Sequence, residues 1–312
     1  CFCWPRQKTN NFCIIDTILI LKKKVNIYLF SSLLLISLPN IFCQENTRIQ
    51  IDSAGFFEKD DKKFTKATVL TRDNKNKVKI SHDGVDMWCN QAFFYENRNY
   101  IEAYGDVVLK QGDTINLNSQ YLEYDGDTKI AFASGKVKLS EPNSVLFTDS
   151  LYFDRNKQEA FYNNYGRVIK EKQDTIDSKI GNYLLENKKY EFKINVLLKN
   201  PKYKINTPRL DFYTENGHAY FYGPTEIKSK ESNIFCELGY YNTNNDTGYF
   251  IKEAKVDFNN TTILADSIYF NRNLNFASAT NNIKIIDTIN ENITKGNYAE
   301  IFKDKDSMFI TK

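Results

Sequence analysis

An all-β fold is what this sequence predicts: an elongated antiparallel roll or solenoid of hairpin repeats, with two facing sheets. Three observations lead there. A strand-like phrase returns about every 29 residues, as Gly-Asp-Val-Val-Leu at 105–109 returns as Gly-Lys-Val-Lys-Leu at 135–139. Short polar turns punctuate the repeats. And 20 Tyr and 23 Phe, against 13 Gly and 6 Pro, suit a pleated surface; no apolar stripe at helical spacing follows residue 45.

The period is clearest on the aromatic that closes "YLEYD". Tyr95, Tyr124, Phe153, Leu184, Phe212, Tyr241, Phe270 and Phe302 form a ladder with steps of 29, 29, 31, 28, 29, 29 and 32 residues. Two residues earlier stand Phe93, Leu122, Leu151, Asn182, Leu210, Gly239 and Ile268. About seven residues later comes a small residue: Ala103, Ala131, Ala160, Ala219, Gly248 or Ala277. A period of this size marks an array whose units bury their apolar faces against neighbours.

Each unit holds two kinds of turn. "DGDTK", "DRNKQE", "TENGH", "NTNNDT" and "NRNLN" are short and rich in Asn, Asp and Gly, which tolerate the positive φ of tight turns. Hairpins are therefore expected near 125–129, 154–158, 214–218, 242–247 and 271–275. The second kind, such as "KQGDT", "SEPNS" and "KNPKY", is more variable. The strands between run to about ten to twelve residues, longer than the usual 3–10, so each should bend and serve both sheets. Side-chain alternation puts the ladder aromatic and its i−2 neighbour inside, and Phe94, Glu123, Tyr152, Tyr183, Asp211, Tyr240 and Tyr269 outside.

The N-terminus stands apart. Residues 1–21 hold three of the six cysteines and read as upstream sequence. Lys22-Lys23-Lys24 and "VNIYLFSSLLLISLP" have the order and length of a signal peptide over 22–43, shorter than a membrane span. Phe42 is too bulky for a lipoprotein site at Cys43. Residues 44–312 then form the repeat domain, truncated at its C-terminus. They carry 37 basic and 38 acidic residues, which leaves no basic field for nucleic acid. "GVDMW" at 84–88 reads as the cap of the first unit. Cys89 and Cys236 lie 147 residues apart and should be free thiols. The two histidines, His82 and His218, and the scattered "DT" turns match no metal site. No nucleophile elbow or phosphate loop is present, so nothing points to an enzyme or a cofactor. "SMFITK" closes the chain without a returning strand, and an unpaired edge of that kind is a template for another chain.

Gly-x-Val-x-Leu, a Thr-rich turn, "L-x-Y-D" and "A-x-A-x-G-x-V-x-L" together resemble the OstA/LptA-like lipopolysaccharide-transport family. "NSQYLEYDGDTKIAFASGKVKL" (118–139) is the nearest copy, and "TDSLYFDRNKQEAFYNNYGRVIK" (148–170) and "ADSIYFNRNLNFASATNNIKII" (265–286) are variants. The likeness covers roughly 90–302. The second-strand Gly is replaced near Val196, Glu253 and Asn281, and Asn182 and Gly239 interrupt the apolar ladder. The resemblance implies a β-jellyroll carrying the acyl chains of lipopolysaccharide, located in the periplasm or associated with the outer membrane. It also implies partners among other lipopolysaccharide-transport proteins placed end to end, with self-association through terminal strands. Without the resemblance, the interior ladder reads first as the packed core of a solid sandwich. As lipid contacts the resemblance favours Leu122, Tyr124, Val137, Leu139, Leu151, Phe153, Leu210, Phe212, Ile227, Val256, Ile268 and Phe270. The competing class is an exported structural or adhesin-type β-solenoid without lipid cargo.

Overall fold

The computed structural model describes residues 48–59, 66–170, 174–305 and 307–312. All belong to the unit that runs from Glu45 to Lys312. The expected upstream segment and signal peptide lie outside the described residues. Among the described residues every pairing between strands is antiparallel, and the 23 strands hydrogen-bond into one continuous sheet. The only helical pieces among the described residues are two 3₁₀ turns, Glu96–Arg98 and Lys303–Lys305. No helix there is long and apolar enough to cross a membrane.

The sheet folds back on itself because its long strands bend at their middles. Tyr100–Gln111, Ile115–Asp125 and Ile130–Ser140 are paired along both arms, but their register slips between Tyr104 and Val107, between Asn118 and Tyr121, and again opposite that second slip. Such bulges sharpen the local bend. Every second strand makes its bend with positive φ: Gly105–Asp106, Gly135–Lys136, Tyr165, Ile194–Asn195, Gly223, Lys252–Glu253 and Asn281–Asn282. This is why "GDVVL" returns as "GKVKL": the glycine marks the corner. Where the glycine is missing, as at 252–253 and 281–282, the corner keeps its conformation.

Ile194 is the costly substitute. A β-branched residue at φ 66 sits in a region that L-residues enter at about 1–2 kcal/mol, and Ile194 is 45% exposed. Ile194→Gly should therefore raise stability by about 1 kcal/mol, after the larger unfolded-state entropy of glycine is set against the relief. Equilibrium urea unfolding would show it; a loss of stability would mean that Ile194 contributes packing that offsets the backbone strain.

The five expected hairpins are present, at 126–129, 155–158, 214–217, 243–246 and 272–275. A sixth connects Ile180–Leu184 to Lys189–Lys199. Asp125 Oδ1 accepts from the backbone N–H of Asp127 and Thr128, both at 2.9 Å, which fixes the turn. The fourth turn residue has positive φ in Lys129, Gln158, Lys188, Gly217, Asp246 and Asn275. Its carbonyl accepts from the first residue of the next turn: Arg155 N–H to Lys129 O, Leu185 to Gln158, Thr214 to Lys188, Thr243 to Gly217 and Arg272 to Asp246, at 2.9–3.1 Å. The hydrogen-bond ladder of the sheet thus continues through its turns.

Two expectations need correction. The ladder aromatic points inward at Tyr124, Phe153, Phe212, Tyr241 and Phe270, but Tyr95, Leu184 and Phe302 are one residue out of step. Phe94, Tyr183 and Ile301 face the interior in those units, so Phe94 and Tyr183 are not outer residues. With them the steps become 30, 29, 30, 29, 29, 29 and 31. Nor is "GVDMW" a cap, because Gln50–Ser53, Phe56–Lys59, Thr68–Thr71 and Val78–His82 build earlier rungs. Cys89 and Cys236 are free and buried, with burial pushing each thiol up to about 12.

Candidate functional site: the interior between the two arms

The folded sheet presents two faces to a common interior. The arms that end in the tight polar turns form one wall, and those that end in the variable turns form the other. One contiguous apolar cluster joins them. Tyr203 from the second wall meets Tyr241 from the first with ring centroids 5.0 Å apart.

The period-29 pattern of large and small residues becomes a packing rule here. Across successive strands of the tight-turn wall, Tyr124 pairs with Ala131, Ala131 with Phe153, Phe153 with Ala160, Phe212 with Ala219, Ala219 with Tyr241, Tyr241 with Gly248 and Gly248 with Phe270. Large and small residues thus alternate from strand to strand in the interior row, a pattern that suits close packing. The exception is Tyr190, which follows Tyr183 directly; the two rings stack at 4.0 Å.

The two interruptions of the apolar ladder have the same origin. Gly181 pairs with Tyr162 on one side and Phe192 on the other, and Gly239 with Phe221 and Phe250. A Cβ on Gly181 would lie 2.3 Å from the Tyr162 ring, and one on Gly239 would lie 2.9 Å from Phe221. Asn182 turns outward and donates to Glu159.

Of the twelve sequence-predicted contact residues, Leu122, Tyr124, Val137, Leu139, Leu151, Phe153, Leu210, Phe212, Ile227 and Ile268 are buried in this interior. Val256 and Phe270 are partly buried against the same cluster. From Val78 to Phe250 the inward apolar side chains are buried in one cluster. Towards the C-terminal end the fillers shrink to Ala277, Ala279 and Ala299, and a cavity of about 140 Å³ opens between the walls. Ile234, Val256 and Ile263 line it from one side, and Ile268, Phe270 and Ile301 from the other. A larger concavity of about 690 Å³ at Lys136, Phe147, Tyr165 and Arg167 lies on the outer surface, apart from this interior.

The far rims of the two walls are tied together by polar pairs, which sequence reasoning treats only as turn residues. Lys129 bonds Asp83 at 2.6 Å, Gln111 donates to Gln158 at 3.3 Å, Lys188 pairs with Glu141 at 3.5 Å and Lys202 with Asp246 at 2.5 Å. Lys303 pairs with Glu231. Four of these five span 44–47 residues, about one and a half repeats. Arg155 donates to the Tyr124 hydroxyl at 3.0 Å and to the Asp83 carbonyl at 2.6 Å. The hydrogen bond from Lys129 holds the Asp83 carboxyl below its usual range, and that from Lys303 does the same for Glu231. Burial pushes the Tyr203 and Tyr241 phenols upward, and the nearby Asp246 carboxylate adds to both shifts. The signal available in the sequence is the opposite charge of alternate turns.

No group of three or more His, Cys, Asp or Glu that could hold a metal occurs among the described residues.

No curated protein matches the chain. Among solved structures, a match is found to LptH, described as the LptA-homologous periplasmic component of the conserved lipopolysaccharide transport device from Pseudomonas aeruginosa. It is 13% identical, over 59% of this chain and 82% of that one, with a TM-score of 0.14, too low for the likeness to carry weight. The sequence profile of the family described as OstA-like protein matches residues 46–208, more than half of the chain. On that match, and with a bent-hairpin roll whose repeat units carry the family's phrases, the chain belongs to the OstA-like protein family.

Proposed function

We propose that this protein is a periplasmic lipopolysaccharide-binding transport protein that carries acyl chains between its two walls. The observation that carries the reading is the single apolar interior shared by all the repeats, opening into a cavity at Val256, Ile268 and Phe270. An acyl chain gains about 0.8 kcal/mol for each CH₂ removed from water, and a trough of this kind needs no catalytic group. Family membership supports the same reading. The protein reaches the periplasm through the 22–43 segment, leaving 44–312 as the mature domain. It bridges export components by end-to-end contact with partners or copies of itself: among the described residues Ser307–Thr311 pairs with Asn292–Phe302 alone, and a strand at such a position is where another strand can add.

The close burial of the inward side chains between Val78 and Phe250 favours a second reading, an exported structural β-roll without cargo. A photo-crosslinking amino acid separates the two. Placed at Phe270 or Leu151 it should capture lipopolysaccharide, while at outward Tyr152, 48% exposed, it should not. Equal capture from both faces, or none from Phe270, would favour the structural role.

A further inference from the structure

The cavity at the C-terminal end has a charged mouth. Lys303, at the last tight turn, pairs with Glu231 of the facing variable turn and so crosses from one wall to the other. Its ammonium also rests 5.3 Å from the centre of the Phe258 ring, a cavity wall. Arg272, one turn earlier, lies over Phe270 at 5.7 Å and over Tyr203 at 5.9 Å, again one ring from each wall. Its Nε is buried without a hydrogen-bond partner. Two cations therefore stand over an apolar cavity, and Glu231, the carboxylate among its lining residues, bonds Lys303 and is also stabilised by the charge of Arg272. Asp304 lies beside the mouth, accepting from Asn275 at 2.8 Å.

The other rim pairs differ in what lies behind them. Lys129–Asp83 and Lys188–Glu141 cover interior where Tyr124 and Tyr190 are buried. Lys202–Asp246 borders a polar cavity of about 190 Å³ lined by Lys170, Asp174 and Asn244, whereas the Glu231–Lys303 pair crosses the mouth of an apolar void lined by both walls. The void holds about 140 Å³, the liquid volume of about five waters. The end of a hydrocarbon chain fits it as it stands; a longer stretch requires the walls to part at this pair.

We propose that Glu231–Lys303 is a gate, and that a single-chain anionic amphiphile opens it. The head group takes Lys303 and Arg272 in place of Glu231, and the chain enters between Phe258 and Phe270. This rests on the reading that the interior takes acyl chains. A carboxylate and a phosphate head share the chemistry required, because both accept charge-assisted hydrogen bonds from Arg and Lys.

The test is a calorimetric titration of the full chain with dodecyl phosphate, dodecanoate and neutral dodecyl maltoside, all below their micellar concentrations. Glu231→Gln removes the competing carboxylate and should tighten the two anionic probes about three- to fivefold, the scale of an exposed ion pair. It should leave the maltoside unchanged. Arg272→Gln with Lys303→Gln should weaken the anionic probes at least about tenfold and again spare the neutral one. The stronger of the two anionic probes identifies the head group. Ala277→Trp, which fills the cavity, should abolish all binding; Ile301→Trp serves the same purpose if the first variant fails to fold by circular dichroism. Unchanged anionic affinity in Glu231→Gln, or equal effects on charged and neutral probes, would overturn the gate while leaving interior binding intact. Binding that survives both cavity-filling variants would overturn the interior reading itself, and failure of all three probes to bind the parent chain would overturn both.

Discussion

Replacing Phe212 with alanine should cost about 3–5 kcal/mol, the range for removing a fully buried aromatic ring. Phe212 has no exposed surface, lies between Tyr190 and Ala219 in the interior row, and supports the Lys170 ammonium 5.4 Å from its ring centre. Neither neighbour can refill the space: Ala219 is small, and the Tyr190 ring is held in the stack with Tyr183 and Phe192. Units in a repeat array contact chiefly their neighbours, so the loss should be concentrated in strands 189–199, 203–213 and 218–229. Hydrogen exchange of their amides would read it directly. A loss below about 1 kcal/mol would mean that this part of the interior is loosely packed and can re-form.

Gly181→Ala should be as informative, although it adds only one methyl group. The new Cβ would stand 2.3 Å from the Tyr162 ring, which is 1% exposed and anchored by a 2.7 Å hydrogen bond between its hydroxyl and Ser178. Gly166 closes on the same ring from the neighbouring strand, 2.5 Å from its own hypothetical Cβ, so the ring has little freedom to withdraw. Overpacking of this kind costs about 1–3 kcal/mol. Tyr162→Leu in the same chain should recover much of it, with a coupling of at least about 1 kcal/mol between the two positions in urea unfolding. Additive losses would place the ring elsewhere.

The repeat, the hairpin turns and the all-antiparallel fold are legible in the sequence because each rests on local signals. Turn residues tolerate positive φ, and side-chain alternation has a fixed period of two. The same period fails where two apolar residues stand side by side. Phe94–Tyr95, Tyr183–Leu184 and Ile301–Phe302 each offer two candidates for the inward position, and alternation within one strand cannot choose between them. The neighbouring strand chooses: Tyr183 faces inward because it lies opposite Ala160. Gly239 looks like a defect when read along its own strand, yet it accommodates Phe221 and Phe250 on either side. The rim was the least legible part. Lys129 and Asp83 are ordinary turn residues in one dimension, and only the closing of one wall on the other brings them within 2.6 Å.

The central claim, that the interior carries acyl chains, is tested most directly by native mass spectrometry of the protein purified from a lipopolysaccharide-producing host without detergent. The account predicts a population heavier than the apo chain by the mass of lipopolysaccharide or its lipid part, reduced in Ala277→Trp. A spectrum of the bare chain alone, or a bound mass that persists undiminished in a folded Ala277→Trp variant, would contradict it.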